Sequence, residues 1–192
     1  MTAAEIYLVR HAEADGADAD DPGLSSRGRD QARLVGSRIS GACPVAVLHS
    51  PRLRAVQTAA IIAASVPGVP VSASDLLDDR TPVPSPLRRD EYPPRYLPWL
   101  DDTAPDEQDI DGATLSQAMD ELVSEALRRA EDGPLVLVTH AFVIGWFVRA
   151  ALDAPVWRWL GLHPTNTSVT VVRYGPDGTS NLVTFNDDSH LR

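Results

Sequence analysis

The chain has 192 residues, a formal net charge of −10 at pH 7 and a sequence pI of about 4.8. Hydrophobic residues make up 43% and charged residues 23%, which is typical of a globular domain with its own core. We expect one domain over residues 1–192. So acidic a chain is a poor partner for nucleic acid, although an acidic protein can still carry a locally basic cleft.

Features of targeting segments are not evident in the sequence. The opening residues, MTAAEIYLVRHAEAD, lack a basic segment followed by a long apolar one, and no apolar run approaches the roughly 20 residues that span a bilayer. The one cysteine, Cys43, cannot form an intramolecular disulfide and fits a reducing compartment. We therefore expect a cytoplasmic protein without membrane contact. The sequence leaves the oligomeric state open.

Short apolar runs and amphipathic segments alternate from the start of the chain. Residues 6–9 (IYLV) predict a buried strand that ends at Arg10–His11. The acidic, turn-rich residues 15–23 predict a loop, and Ser25 or Ser26 is expected to cap the helix that follows.

A second strand and helix follow in the same pattern. Residues 45–48 (VAVL) predict a buried strand. Ser50–Pro51, a capping residue followed by proline, predicts the start of a helix over about 52–64. A third short strand is expected at 71–73.

Residues 76–112 differ from the rest, because they hold seven prolines, many charges and few periodic apolar residues. This composition predicts an insertion or lid-like excursion rather than core. Trp99 and Tyr96 within it are candidates for substrate contact. The tryptophans outside it are expected in the core; they are Trp146, Trp157 and Trp159.

The second half of the chain returns to the alternation of helices and strands. The predicted elements are a helix over 113–130, a strand over 135–138 (LVLV) ending at Thr139–His140, a helix over 142–152, and a hairpin of strands over 168–173 and 181–185. The whole pattern predicts a three-layer α/β/α sandwich, with a mostly parallel sheet and helices on both faces.

Three of the predicted strands end in polar side chains. The first ends at Arg10–His11, the second at His49–Ser50 with Arg52 and Arg54 just beyond, and the third at Thr139–His140. If these strands are parallel neighbours, the groups meet at one edge of the sheet, where such sheets bind ligands. The guanidinium group of arginine can donate two parallel hydrogen bonds to a phosphate, and a neutral imidazole can attack phosphorus. Free N–H groups at the helix starts add anion donors.

Several segments resemble the histidine phosphatase superfamily, the phosphoglycerate mutase-like family. Leu8–Glu13 (LVRHAE) resembles its Arg-His-Gly/Ala-Glu signature, and residues 50–58 (SPRLRAVQT) resemble its Ser-x-x-x-Arg-Ala-x-x-Thr element. Residues 24–32 (LSSRGRDQA), 138–141 (VTHA) and 166–168 (NTS) are similar to three further segments. The matches occur in the family's order and cover nearly the whole chain.

The resemblance implies a phosphoglycerate mutase-like fold and a role for each matching residue. His11 would be the nucleophile and become phosphohistidine. Arg10, Arg54, His140 and Ala141 would hold the phosphoryl group together with His11. The resemblance implies no metal and no cofactor.

The proton donor is the position at which the chain departs from the family. The family usually has glutamate in a Leu-x-Glu context, and this chain has Leu77-Asp78-Asp79-Arg80 there. Asp79 is the best match, although aspartate is one methylene shorter and Asp78 competes for the role. A carboxyl can donate a proton if burial raises its pKa. Arg52 is expected at the pocket rim and His49 at a strand end without a catalytic role.

The resemblance implies a metal-independent phosphatase that acts on a small-molecule phosphate ester or a phosphoprotein. Residues 76–84 resemble the protein-phosphatase branch, and the RHAEA start resembles small phosphohistidine phosphatases. One alternative is a phosphoglycerate mutase-type phosphotransferase, whose members are longer and carry further substrate-binding segments. The other alternative is a phosphate-recognition module, which would have lost a catalytic group. The sequence does not name the substrate.

Overall fold

The computed structural model describes residues 2–16 and 21–192. In chain order the strands are β1 (Ala4–Arg10), β2 (Ala46–His49), β3 (Val71–Ala73), β4 (Thr81–Val83), β5 (Gln108–Ile110), β6 (Leu135–Thr139), β7 (Val169–Tyr174) and β8 (Ser180–Asp187). The α-helices are α1 (Ser26–Ser40), α2 (Leu53–Ala63), α3 (Leu97–Asp101), α4 (Ala113–Arg128) and α5 (Ala141–Ala151). Among these residues, no helix combines the length and the apolar character that crossing a membrane requires.

Six strands form one mixed sheet in the order β3-β2-β6-β1-β7-β8. Strands β1, β2, β3 and β6 run parallel, and β7 and β8 form the predicted antiparallel hairpin at one edge. Val9 lies opposite Val138, and Leu48 lies opposite Leu137. Strands β4 and β5 form a separate parallel pair. The predicted parallel arrangement of β1, β2 and β6 is therefore confirmed.

Helices cover both faces of the six-stranded sheet. Successive side chains of a strand point to opposite faces, so Leu8 joins the core cluster beneath α4 and α5 while Val9 joins the cluster beneath α1 and α2. The central strand β6 is buried at all five positions because it is covered on both sides. The predicted three-layer α/β/α sandwich is confirmed.

The segment 76–112 contributes to the core, so the expectation that it lies outside the core is wrong. Leu77, Val83, Tyr92 and Leu100 are all at most 5% exposed and join the larger core cluster. Short turns, the three-residue strand β4 and the five-residue helix α3 carry these side chains at irregular intervals along the chain. Periodicity detects regular elements only, and it therefore missed them.

The start of α2 also differs from the prediction. The helix begins at Leu53, and the Asp21 carboxylate accepts the N–H of Leu53 at 3.0 Å. The Ser50 hydroxyl accepts the N–H of Arg52 at 3.2 Å, just before the helix, and also lies 2.8 Å from Nε2 of His140. A residue 32 positions away in the chain supplies the cap, so local sequence rules could not find it. Ser25, by contrast, caps α1 as predicted by accepting the N–H of Gly28 at 2.9 Å.

The predicted acidic loop 15–23 lies partly outside the described residues, because 17–20 are not described. Its base is closed by a bridge between Ala14 and Leu24 and by the N–H of Asp15, which donates to the Gly23 carbonyl at 2.8 Å. These contacts place the described ends of the loop beside the residue that follows β1.

Candidate active site

A cavity of about 270 Å³ opens at the carboxyl ends of β1 and β6. Both strands are central in the sheet, and their parallel pairing brings Arg10 opposite Thr139. The cavity is lined by Arg10, His11, Asp79, His140, Ala141, Phe142, His163 and Pro164. Five residues predicted for the site therefore share one cavity, although their positions span residues 10 to 141.

His11 directly follows β1, and main-chain hydrogen bonds fix its position. Its N–H donates to the Thr139 carbonyl at 2.9 Å, and its own carbonyl accepts from Nδ2 of Asn166 at 3.0 Å. Nδ1 of the ring lies 2.8 Å from the Ala12 carbonyl oxygen, which can only accept. Nδ1 therefore carries the hydrogen, and Nε2 keeps its lone pair. Burial, aided by the neighbouring His140, lowers the pKa of His11 to about 3, so the ring is neutral at pH 7.

His140 lies beside His11, with ring centroids 5.2 Å apart. It occupies the position before α5, where the free N–H groups of the helix start are directed at the cavity. Burial, followed by the charge of Arg54, lowers the pKa of His140 to about 3. Two neutral imidazoles therefore face one another in the cavity.

Two arginines supply positive charge to this pair of histidines. Arg10 is held by a bond from Nη1 to the Pro164 carbonyl at 2.8 Å. Nη2 of Arg54 lies 2.7 Å from Asp79 and 3.3 Å from Nδ1 of His140. The Arg54 side chain is 15% exposed, so its charge acts where screening by water is weak.

Asp79 and Asp78 have different partners in the structure. Asp79 lines the cavity, with Oδ2 3.2 Å from Nδ1 of His140. Asp78 pairs with Arg52 at 2.7 Å and also accepts the N–H of Asp79 at 2.9 Å. Burial raises the pKa of Asp79, although the charge of Arg54 opposes the shift. The geometry favours Asp79 over Asp78 as the residue that meets a substrate.

Thr58 connects the loop of His11 to the helix that carries Arg54. Its hydroxyl accepts the N–H of Ala12 at 3.0 Å and donates to the Arg54 carbonyl at 2.7 Å. Thr58 is fully buried, so neither main-chain group has water as a substitute. The motif that included Thr58 pointed to the segment, but the bridging role emerges only from the structure.

Other predicted residues lie at the margins of the cavity or away from it. Arg52 pairs with Asp78 at 2.7 Å and is not among the residues that line the cavity, so its expected place at the rim stays a prediction. His49 turns its Nδ1 toward the Ser50 carbonyl at 2.8 Å and does not line the cavity. Trp99 is 48% exposed and packs edge-on against Phe142, whereas Tyr96 packs against Trp157.

Of the three tryptophans that were predicted to lie in the core, two are buried there. Trp146 and Trp159 are buried, and Trp157 is only half-buried. Sequence reasoning missed three cavity residues, Phe142, His163 and Pro164. Phe142 directly follows the matched segment 138–141, so its position in the first turn of α5 was an available signal. His163 and Pro164 lie in a loop without any recognised motif.

The α/β sandwich places two neutral histidines and two arginines at one strand edge, an arrangement suited to binding an oxyanion. The model of the histidine phosphatase superfamily (branch 1) matches residues 6–188. The chain belongs to this superfamily, as the motifs implied.

Curated relatives share the sequence over almost all of this chain. The mitochondrial serine/threonine-protein phosphatase PGAM5 of Mus musculus is 32% identical over 191 residues, covering 97% of this chain and 63% of that protein. The Homo sapiens protein is 31% identical with the same coverage. This chain therefore spans just under two thirds of the length of these relatives.

Solved structures share the fold at lower identity. Mycobacterial glucosyl-3-phosphoglycerate phosphatase aligns with a TM-score of 0.76 and 22% identity, covering 96% of this chain and 99% of that one. A phosphoserine phosphatase mutant from Entamoeba histolytica, in complex with phosphoserine, aligns with a TM-score of 0.71 and 21% identity over 98% and 99% of the two chains.

Proposed function

We propose that this chain is a metal-independent phosphatase that hydrolyses a phosphate monoester through a phosphohistidine on His11. The carrying observation is the ring orientation of His11: Nδ1 is bonded to the Ala12 carbonyl, so the lone pair of Nε2 is available for attack within a cavity that also holds Arg10 and His140. A buried neutral imidazole is a competent nucleophile because it needs no deprotonation at pH 7.

In the first step, Nε2 of His11 attacks phosphorus and the bond to the ester oxygen breaks. Arg10, Arg54 and the N–H groups at the start of α5 stabilise the charge on the phosphoryl oxygens. Asp79, in its protonated form, transfers its proton to the leaving oxygen. The products of this step are the free alcohol, phosphohistidine and the Asp79 carboxylate.

In the second step, the Asp79 carboxylate accepts a proton from water while the water oxygen attacks phosphorus. The bond between phosphorus and Nε2 of His11 breaks, which releases inorganic phosphate and restores the neutral ring. Asp79 is again protonated and ready for the next substrate. The raised pKa of Asp79 supports both roles, since it brings the carboxyl closer to the working pH.

The substrate is a phosphoprotein or a small-molecule ester in this proposal. The PGAM5 relatives are named serine/threonine-protein phosphatases, and two structural neighbours are named for small phosphate esters. We also propose a cytoplasmic location, which imaging of a tagged chain tests; the PGAM5 relatives are named as mitochondrial.

The test is hydrolysis of p-nitrophenyl phosphate in the presence of a chelator by the wild type, His11→Ala and His49→Ala. His49 is a matched control, because it is also 8% exposed and also bonds a neighbouring carbonyl through Nδ1 at 2.8 Å. We expect turnover to vanish in His11→Ala and to persist in His49→Ala.

A labelled phosphoenzyme is trapped in parallel. We expect a label that is stable in base, labile in acid and absent from His11→Ala. Persistent turnover in His11→Ala contradicts the nucleophile assignment. Binding of orthophosphate without turnover by the folded wild type favours a recognition module instead.

A further inference from the structure

A second cavity of about 300 Å³ adjoins the catalytic cavity. Phe142 lines both cavities, so the two lie next to each other. Residues of the segment 76–112 form all of the remaining lining, including Trp99, Asp102 and Glu107. The second cavity is therefore a candidate site for the alcohol group of an ester whose phosphate lies at His11.

Two aromatic rings meet at a steep angle in this cavity. Trp99 lies edge-on to Phe142, with centroids 5.7 Å apart and an interplanar angle of 76°. Trp99 and Phe142 also pack against the buried Trp159, at 6.3 Å and 5.0 Å. This packing fixes rings that border open space, and half of Trp99 remains exposed. Fixed aromatic faces attract alkylammonium groups through the negative charge of the ring faces.

The charged groups of the cavity are both acidic. Asp102 and Glu107 form no ion pair among the residues that the structure describes, whereas the neighbouring Asp101 is paired with Arg89. No arginine or histidine of the described chain lines this cavity, and its other lining residues are two threonines and an alanine. The arginines of the site lie beside His11 and His140 instead. An anionic alcohol is therefore disfavoured here, and a cationic one is favoured.

We propose that this second cavity is the leaving-group subsite and that it selects phosphate esters whose alcohol carries an alkylammonium cation. The proposal rests on the proposed function, because it assigns the leaving-group side of the same reaction. Phe142 and Trp99 contact the methylene and ammonium groups, and Asp102 and Glu107 supply the opposite charge.

The experiment compares ω-aminoalkyl phosphates of two to six carbons with alkyl phosphates in which a methyl group replaces the ammonium group. The two esters of each pair have the same chain length. The ratio of kcat/KM for the ammonium ester to kcat/KM for the methyl ester therefore measures the effect of the positive charge. The wild type is expected to prefer the ammonium ester by about 10-fold at one chain length or more, in low salt.

The double variant Asp102→Asn/Glu107→Gln is expected to bring this ratio to within about 2-fold of one, while hydrolysis of p-nitrophenyl phosphate changes little. Trp99→Leu is expected to lower the same ratio. Asp153→Asn is the control: Asp153 is exposed and lies after α5, away from both cavities. We expect its ratio to match that of the wild type.

The outcomes separate the subsite from the proposed function. Turnover of p-nitrophenyl phosphate without an ammonium preference at any length overturns the subsite and leaves the phosphatase intact. A preference that survives in the Asp102/Glu107 double variant also overturns it. No turnover of any ester by the folded wild type refutes the proposed function, and the subsite with it.

Discussion

Nη2 of Arg54 lies 2.7 Å from Oδ2 of Asp79, so a phosphate-binding group and the candidate acid are bonded to each other. A phosphate dianion that binds Arg54 competes with this bond. It also places negative charge beside the Asp79 carboxyl, which raises its pKa further. Substrate binding therefore favours the protonated form that the first step requires.

Asp79→Asn tests this assignment, because the amide cannot donate a proton to the leaving group. We expect kcat to fall by about 100-fold or more on alkyl phosphates and by about 10-fold or less on p-nitrophenyl phosphate, whose phenolate needs less protonation. Asp78→Asn is the control, since Asp78 pairs with Arg52 and does not line the cavity. Equal losses of Asp79→Asn on both substrates would argue against an acid role.

Thr58→Val tests the link between the nucleophile loop and Arg54. Valine has a similar shape but leaves the Ala12 N–H and the Arg54 carbonyl without their side-chain partner. We expect the free energy of unfolding to fall by about 1–3 kcal/mol and kcat/KM to fall by about 10-fold. Urea unfolding and steady-state kinetics measure the two effects. Thr58→Ser keeps the hydroxyl, so we expect it to keep most of the stability and most of the kcat/KM value. If Thr58→Ser loses as much as Thr58→Val, packing rather than the hydrogen bonds is responsible.

Gly28→Ala tests the contact between α1 and the loop after His11. A Cβ at residue 28 would lie 2.0 Å from the main-chain oxygen of Glu13, so one of the two segments must move. We expect the free energy of unfolding to fall by about 2–4 kcal/mol, together with a loss of activity. Gly41→Ala, at the other end of the helix, meets its nearest atom at 3.5 Å and has a φ of −69°. It should be neutral or slightly stabilising, and a comparable loss there would contradict the steric explanation.

Acid sensitivity of the fold follows from the two buried histidines. The pKa values of His11 and His140 are about 3 in the folded chain, against 6.5 for an ordinary histidine. The folded state binds these protons more weakly than the unfolded state, so stability is complete above pH 6.5 and is lost as the pH falls from 6.5 toward 3. We expect a loss of about 3 kcal/mol for each histidine by about pH 4.5.

The measurement is the free energy of unfolding in urea at about pH 7 and pH 4.5 for the wild type, His11→Asn and His140→Asn. Each variant should lose less stability than the wild type on acidification, because one buried titrating group is absent. His163→Asn removes an exposed histidine at the cavity and is the control for the substitution itself. An unchanged acid response in both buried-site variants would refute the assignment.

The sequence predicted the sheet and the residues at its strand ends because each rests on local information. Continuous apolar runs revealed β1, β2 and β6, and the motifs placed His11, Arg54 and His140 after or near them. Parallel neighbours necessarily bring such groups to one edge. The family assignment followed from motifs in order.

Tertiary contacts limited the rest of the prediction. Asp21 caps α2 across a loop. Tyr92 reaches the core from a short turn and Leu100 from the five-residue helix α3, and neither segment is long enough to show a repeating pattern. Phe142 and Trp99 pack edge-on against each other although they belong to segments far apart in the chain. Distances of this kind depend on how segments pack, and no local rule encodes them.

The position of β1 has a consequence for synthesis of the chain. Ile6 pairs with Leu135 and Val172, so the strand that leads to the nucleophile is made first and finds both of its neighbours late. β1 therefore leaves the ribosome long before β6 and β7 are synthesised. Until they are, its apolar edges stay unpaired in the nascent chain. On the proposed function, we expect turnover to appear only after the closing hairpin has docked beside β1, so that turnover reports complete folding.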